Sequence, residues 1–135
     1  MANVRIEGVA KQYAGRKILS GLSLELNDGE CFTLLGPSGC GKTVLLRLIA
    51  GFETPDSGSI AIGGEVVANA ATGHMLPPDK RGLGVVFQDY AVWPHMNVFD
   101  NISYPLKLAG TAAKSLRERT LRAVDLVGLS GLDAR

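Results

Sequence analysis

One stretch of the sequence combines residue types that can hold a phosphate chain. Residues 36–51 read GPSGCGKTVLLRLIAG and contain the spacing G-x-x-x-x-G-K-[ST] as Gly36, Gly41, Lys42 and Thr43. A glycine-rich loop between a strand and a helix points successive backbone N–H groups inward, where the helix dipole also favours negative charge. Lys42 would meet the β and γ phosphates, and the Thr43 hydroxyl can ligate Mg²⁺. The stretch predicts a site for a nucleoside triphosphate with magnesium; the alternative is an ordinary glycine-rich turn that happens to contain a lysine.

The whole loop contributes candidate contacts to this nucleotide. They are Gly36, Pro37, Ser38, Gly39, Cys40, Gly41, Lys42, Thr43 and Val44. Val44 stands where a second hydroxyl often follows, so its N–H can meet the α phosphate but its side chain cannot. Such a missing hydrogen bond costs about 0.5–1.5 kcal/mol, which weakens binding slightly.

Cys40 lies inside the loop, beside the start of the predicted helix. The positive end of a helix dipole makes a thiol more reactive. One hypothesis is that alkylation of Cys40 blocks nucleotide binding and that bound nucleotide protects it. The alternative is that Cys40 is an unreactive small filler.

The elements that position the loop follow from hydropathy patterns. VRIEGVAKQY and ILSGLSLEL alternate as half-buried strands, and SIAIGGEVV has the same alternation. CFTLL (31–35) and GVVFQ (84–88) read as short strands buried in a sheet. KTVLLRLIAG reads as a packed helix that ends at Gly51, and ANAATGHMLPPDKRG reads as a loop.

The last third of the sequence has helical spacing. NVFDNISYPLKLAG and AAKSLRERTLRAVDLVG are each predicted to form a helix. Asn97 can cap the first of them, and Asp100 favours its N-terminus. Pro105 should kink or end that helix.

Composition excludes some classes of protein. With 14 basic and 13 acidic side chains, the charge does not favour a nucleic-acid partner. No apolar run approaches the ~20 residues that cross a bilayer, and the N-terminus lacks a secretory pattern. Cys31 and Cys40 read as reduced thiols. We therefore expect a soluble, intracellular, globular chain whose link to any membrane goes through a partner protein.

Several segments together resemble the ATPase subunit of an ATP-binding cassette (ABC) transporter. They are the phosphate loop, KQY upstream, VVFQ downstream, LRLIAGFETPDSGSIAIGG and PPDKRGLGVVFQDYAVWPHMNVFDNISYPLKLAG. The resemblance covers the whole chain and is greatest to bacterial solute importers for ferric iron, polyamines, phosphonates or sugars. It implies an α/β fold: a P-loop NTPase core with an antiparallel β-subdomain (1–89), and the start of an α-helical subdomain (90–135).

The resemblance also implies residue roles. Tyr13 matches the aromatic that stacks on adenine, the alternative being a plain strand-end tyrosine, and Ile18 would line the ribose side. Lys42 and Gln88 would be catalytic, and Thr43 and Gln88 would approach Mg²⁺ in a complex with ATP. The aromatics Tyr90, Trp93, Phe99 and Tyr104 lie in the region that receives a coupling helix of the membrane subunit; each could equally be subdomain core.

The family's later motifs are not found. VGLSGLDAR (127–135) resembles the helix end that precedes the glycine-rich signature, so we expect an N-terminal fragment that is inactive alone. The implied partners of the full-length ATPase are a transmembrane permease subunit, a second ATPase subunit in a homodimer and, indirectly, a periplasmic solute-binding protein. The implied location is cytoplasmic, on the inner face of the cell membrane. A soluble P-loop kinase and a module that only binds nucleotide or assembles are the alternatives.

Overall fold

The computed structural model describes residues 3–135, which form two compact units. The first ends at Val85, and the second runs Val86–Arg135. The sequence placed the division between residues 89 and 90, and that boundary stays a prediction.

The first unit contains a five-stranded antiparallel sheet. Its strands are β1 (Val4–Tyr13), β2 (Arg16–Leu26), β3 (Ser57–Ile62), β4 (Glu65–Asn69) and β5 (His74–Met75), in the spatial order β2-β1-β3-β4-β5. The first four strands match the alternating patterns of the sequence. β5 and a 3₁₀ turn at Pro78–Lys80 lie inside the segment that was predicted to be a loop, so that prediction was wrong in part.

The helix α1 (Lys42–Ala50) contributes to the apolar core of this unit. Leu45 and Leu48 are buried in one cluster with Ile6 and Ile60 of the sheet. Burying a side chain of this size stabilises the fold by about 1.5–3 kcal/mol. The helix ends as predicted at Gly51, whose φ of 89° lies in the left-handed region that glycine tolerates best.

Two predicted strands are absent from the described residues. Neither CFTLL (31–35) nor GVVFQ (84–88) is paired with a strand, and most of their side chains are exposed. Phe32 is 44% exposed and Val86 is fully exposed. A strand exists only through hydrogen bonds to a neighbour, and an apolar run gives no information on whether that neighbour is present.

A buried arginine joins α1 to the sheet. Arg81 is 5% exposed and donates from Nη1 to the carbonyls of Leu48 (2.8 Å) and Ile49 (2.9 Å). Its Nη2 donates to the Val67 carbonyl in β4 (3.1 Å), and its Nε donates to the Leu76 carbonyl (2.8 Å). These bonds satisfy two of the carbonyls that the C-terminal end of a helix leaves without intrahelical partners.

The second unit contains two helices, α2 (Val98–Leu108) and α3 (Ala113–Leu126). The predicted cap is confirmed, since Asn97 Oδ1 accepts from the Asp100 N–H at 2.7 Å. Pro105 was predicted to kink or end α2; the helix runs on to Leu108, so Pro105 does not end it, and the kink stays a prediction. Proline removes one backbone N–H, and the turn after Pro105 is still closed by the hydrogen bond from the Ala109 N–H to the Pro105 carbonyl (3.0 Å).

Within residues 3–135, no helix combines the length and the apolar character that a membrane span requires.

Candidate functional site

The phosphate loop leads directly into α1. Gly39 and Gly41 adopt φ values of 80° and 98°, so the loop needs glycine at both positions. Gly41 is also buried against β2: a Cβ there would lie 3.1 Å from Cγ2 of Ile18 and 3.0 Å from Cδ2 of Leu19. The structure therefore places Ile18 beside the loop, and its role on the ribose side stays a prediction.

The start of α1 offers backbone donors. The first hydrogen bond of this helix runs from the Leu45 N–H to the Gly41 carbonyl (2.9 Å). The N–H groups of Lys42, Thr43 and Val44 come before it, and no acceptor for them occurs among residues 3–135. Unsatisfied N–H groups at a helix N-terminus are suited to an anion.

The ammonium group of Lys42 lies over its own loop. Its Nζ donates to the carbonyls of Gly36 (2.7 Å) and Pro37 (2.9 Å) and is 3.5 Å from Sγ of Cys40. A lysine ammonium has three donors and no acceptor. Two of these donors meet the carbonyls and the third faces Sγ of Cys40, so a phosphate can bind Lys42 by displacing only the weak sulfur contact.

The remaining loop residues are accessible. Pro37, Ser38, Gly39 and Cys40 are exposed, and the Cys40 N–H donates to the Pro37 carbonyl at 3.3 Å. Thr43 is exposed in the first turn of α1, so its hydroxyl oxygen can reach a hard cation. Val44 packs against the core cluster, which explains an apolar residue at that position.

These donors fit a magnesium–triphosphate complex. Backbone amides and the Lys42 ammonium suit phosphate oxygens, and the Thr43 hydroxyl is an oxygen ligand of the kind that Mg²⁺ prefers. Within residues 3–135 no group of three or more acidic, histidine or cysteine side chains could hold a metal ion.

Tyr13 ends β1 and is 42% exposed. Its hydroxyl donates to Oε2 of Glu53, and Nζ of Lys11 lies 5.6 Å from the ring centroid. The hydrogen bond to Glu53 is the largest cause that raises the pKa of the Tyr13 phenol above its ordinary value of 10.0. An exposed ring at a strand end is available for stacking on a base.

Gln88 belongs to the second unit, where it is exposed in a bend. Its catalytic and magnesium roles stay predictions. The aromatics of this unit divide into two kinds. Tyr90 is 94% exposed, whereas the rings of Trp93 and Tyr104 pack 5.8 Å apart.

Trp93 is also held by α2. Its N–H donates to Oδ1 of Asn101 (2.8 Å), and its carbonyl accepts from Nδ2 of the same residue (3.1 Å). Trp93 nevertheless remains 47% exposed, so both interpretations stay open for it, and a partner-facing role for Tyr90 stays a prediction.

Two residues around the site, Arg81 and Glu53, were not predicted from the sequence. Arg81 and Glu53 lie in polar segments, where charged side chains are usually exposed. Arg81 is buried instead, and the Glu53 side chain is only 18% exposed. No periodicity marks either position, so no signal in the sequence could have found them.

Comparison with known proteins identifies the family. A family model described as ABC transporter matches residues 19–135. The chain therefore belongs to the ABC transporter family. Its helices and antiparallel sheet agree with the N-terminal region of an ABC ATPase, so the predicted α/β fold class with a P-loop NTPase core is confirmed.

Curated relatives match nearly the whole chain. The spermidine/putrescine import ATP-binding protein PotA of Marinobacter nauticus is 46% identical over 130 residues, which are 96% of this chain and 33% of that protein. The trehalose/maltose import ATP-binding protein MalK of Thermococcus litoralis is 46% identical over 132 residues, 98% of this chain and 36% of that protein. PotA of Nitrosospira multiformis is 44% identical over 135 residues, 100% of this chain and 36% of that protein. The chain thus spans about a third of the length of these relatives.

Proposed function

We propose that this chain is the nucleotide-binding portion of the ATPase subunit of an ABC importer and that it binds ATP with Mg²⁺. The observation that carries the proposal is the cluster of donors at the start of α1. The N–H groups of Lys42, Thr43 and Val44 and the ammonium of Lys42 lie in one short stretch, in which Thr43 is exposed and Lys42 and Val44 are half-buried. The names of the relatives, which describe import ATP-binding proteins, support the same assignment.

Each residue has a defined task in this proposal. The loop amides and Lys42 hold the β and γ phosphates, and Ile18 borders the ribose. Tyr13 stacks on the base, and Thr43 ligates the metal. Mg²⁺ would neutralise phosphate charge when bound. Gln88 completes the metal and water site in the whole protein.

Hydrolysis and transport belong to the whole protein in this proposal. In the whole protein, this chain would act together with a second ATPase subunit and a transmembrane permease, with the ATPase subunits on the cytoplasmic face of the membrane. A periplasmic solute-binding protein would be an indirect partner. The relatives are named for polyamine and for disaccharide import at equal identity, 46% in each case. The names of these relatives therefore do not indicate which solute is imported.

Titration calorimetry with Mg-ATP, run beside an assay of phosphate release, tests the proposal. We expect saturable binding without turnover by the 135-residue chain. An absence of binding heat, from a chain whose circular dichroism shows it to be folded, would contradict the proposal. Rapid turnover by the chain alone would show that the expected dependence on further motifs is wrong.

A further inference from the structure

Glu53, in the segment between α1 and β3, and Lys11 of β1 contact Tyr13 from two sides. On one side, Oε2 of Glu53 accepts the phenol hydrogen bond. On the other, Nζ of Lys11 lies over one face of the ring, 5.6 Å from its centroid. Lys11 is itself fixed by the same segment, through the carbonyl of Thr54 (2.7 Å) and Oδ1 of Asp56 (3.2 Å).

Glu53 is well placed to fix a ring. Its side chain is only 18% exposed, and its Oε1 lies 3.5 Å from Nη1 of Arg47 in α1. Its two carboxylate oxygens therefore contact two different elements, the end of β1 and the helix that carries the phosphate loop. Because this support already restricts the Tyr13 side chain, less rotamer entropy is lost when the ring stacks on a base.

We propose that Glu53 is the positioning residue for base recognition: it fixes the hydroxyl end of Tyr13 so that the ring face opposite Lys11 is presented to a purine. The inference rests on the proposed nucleotide function. It adds a residue whose effect is confined to the base, because Glu53 contacts neither the loop residues 36–41 nor Lys42.

Two probes separate the base from the phosphates. Mg-ATP carries both, whereas magnesium tripolyphosphate carries the phosphates alone. For Glu53→Ala we expect affinity for Mg-ATP to fall about two- to tenfold, the range of one hydrogen bond. Affinity for tripolyphosphate should stay unchanged. Equal losses for both probes, or no loss for either, would overturn the inference.

A double-mutant cycle tests the contact itself. Tyr13→Phe removes the hydroxyl but keeps the ring, so it should reproduce the loss of Glu53→Ala, and the double variant should lose no more than either single one. Glu53→Gln keeps an acceptor and should restore most of the affinity. Additive losses in the double variant would show that Glu53 acts by another route.

A spectroscopic signature is independent of nucleotide. The ultraviolet absorbance of phenolate, with Tyr13→Phe subtracted to remove the other two tyrosines, should titrate at lower pH in Glu53→Ala than in the wild type. Arg47, Asp56 and Lys11 are the other charged groups near this phenol, and all three stay in place. An unchanged titration would contradict the contact.

Controls separate this inference from the proposed function. Glu65→Ala removes an exposed carboxylate at the start of β4 and should change no affinity. If Tyr13→Ala weakens Mg-ATP binding but Glu53→Ala does not, the stacking role stands and the role of Glu53 fails. If the wild type binds neither probe, the proposed function is wrong, and the inference about Glu53 is wrong as well.

Discussion

Nη1 of Arg81 donates a 2.8 Å hydrogen bond to the carbonyl of Leu48, in the last turn of the helix that follows the phosphate loop. The guanidinium is buried, and this burial lowers the pKa of Arg81 below its ordinary value. Its partners are backbone carbonyls and the thioether of Met75, whose Sδ is 3.0 Å from Nη2. A cation at the C-terminal end of a helix also interacts favourably with the helix dipole.

Removal of this guanidinium should cost much stability. Arg81→Met removes the donors of the Leu48, Ile49 and Leu76 carbonyls, which are buried or partly buried, and each unsatisfied buried group costs about 1–3 kcal/mol. We expect the free energy of unfolding in urea to fall by about 3 kcal/mol or more. Arg5→Met is the matched control, because its exposed guanidinium only pairs with Glu7 (2.6 Å) and should contribute at most about 1 kcal/mol. Equal losses in the two variants would contradict the role of Arg81.

Local patterns predicted the elements that depend on local contacts. The helix α1 with its final Gly51 and the Asn97 cap both follow from the spacing of nearby residues. The two failed strands, 31–35 and 84–88, depend on pairing with distant segments. Hydropathy records the apolar character of a run but not its hydrogen-bonded neighbour, so these errors could not be avoided from pattern alone.

Acid should destabilise the first unit through Asp56. The hydrogen bond from the Gln12 N–H (2.8 Å), followed by that from Lys11, lowers the pKa of Asp56 below its ordinary value of 3.8. The folded state therefore favours the carboxylate. This contribution is fully present above the unfolded pKa and is lost as the pH falls through the lower, folded pKa.

Urea unfolding measured across the acid range checks this effect. We expect Asp56→Asn to flatten the decline of stability below about pH 4 relative to the wild type. Glu65→Gln controls for the loss of one negative charge in the same sheet. Identical acid profiles for Asp56→Asn and the wild type would show that these hydrogen bonds do not favour the carboxylate.

Alkylation of Cys40 should compete with nucleotide. The thiol is exposed within the loop, with its Sγ 3.5 Å from Nζ of Lys42, so an added group would occupy the space beside the ammonium. We expect Mg-ATP to slow the labelling of Cys40 by N-ethylmaleimide, as read by mass spectrometry of peptides. Cys31, also free and exposed, is the internal reference and should be labelled equally with and without nucleotide. Equal labelling of Cys40 under both conditions would favour the inert-filler alternative.

The sequence predicted those residues of the candidate site that are neighbours along the chain. The loop, Lys42 and Thr43 are neighbours along the chain, so their spacing alone defined the motif. The contacts of Tyr13 with Glu53 join residues 40 positions apart. Such contacts depend on how α1 returns to the end of β1, which only the folded structure shows.

Calorimetric titration of Mg-ATP into Lys42→Ala, beside the wild type, tests the central claim most directly. Charge-assisted hydrogen bonds contribute about 1.5–3 kcal/mol each, so the affinity should fall at least about tenfold. Lys114→Ala, which removes an exposed ammonium at the start of α3, should bind as the wild type does. An affinity of Lys42→Ala equal to that of the wild type would contradict the assignment of residues 36–44 as the phosphate site.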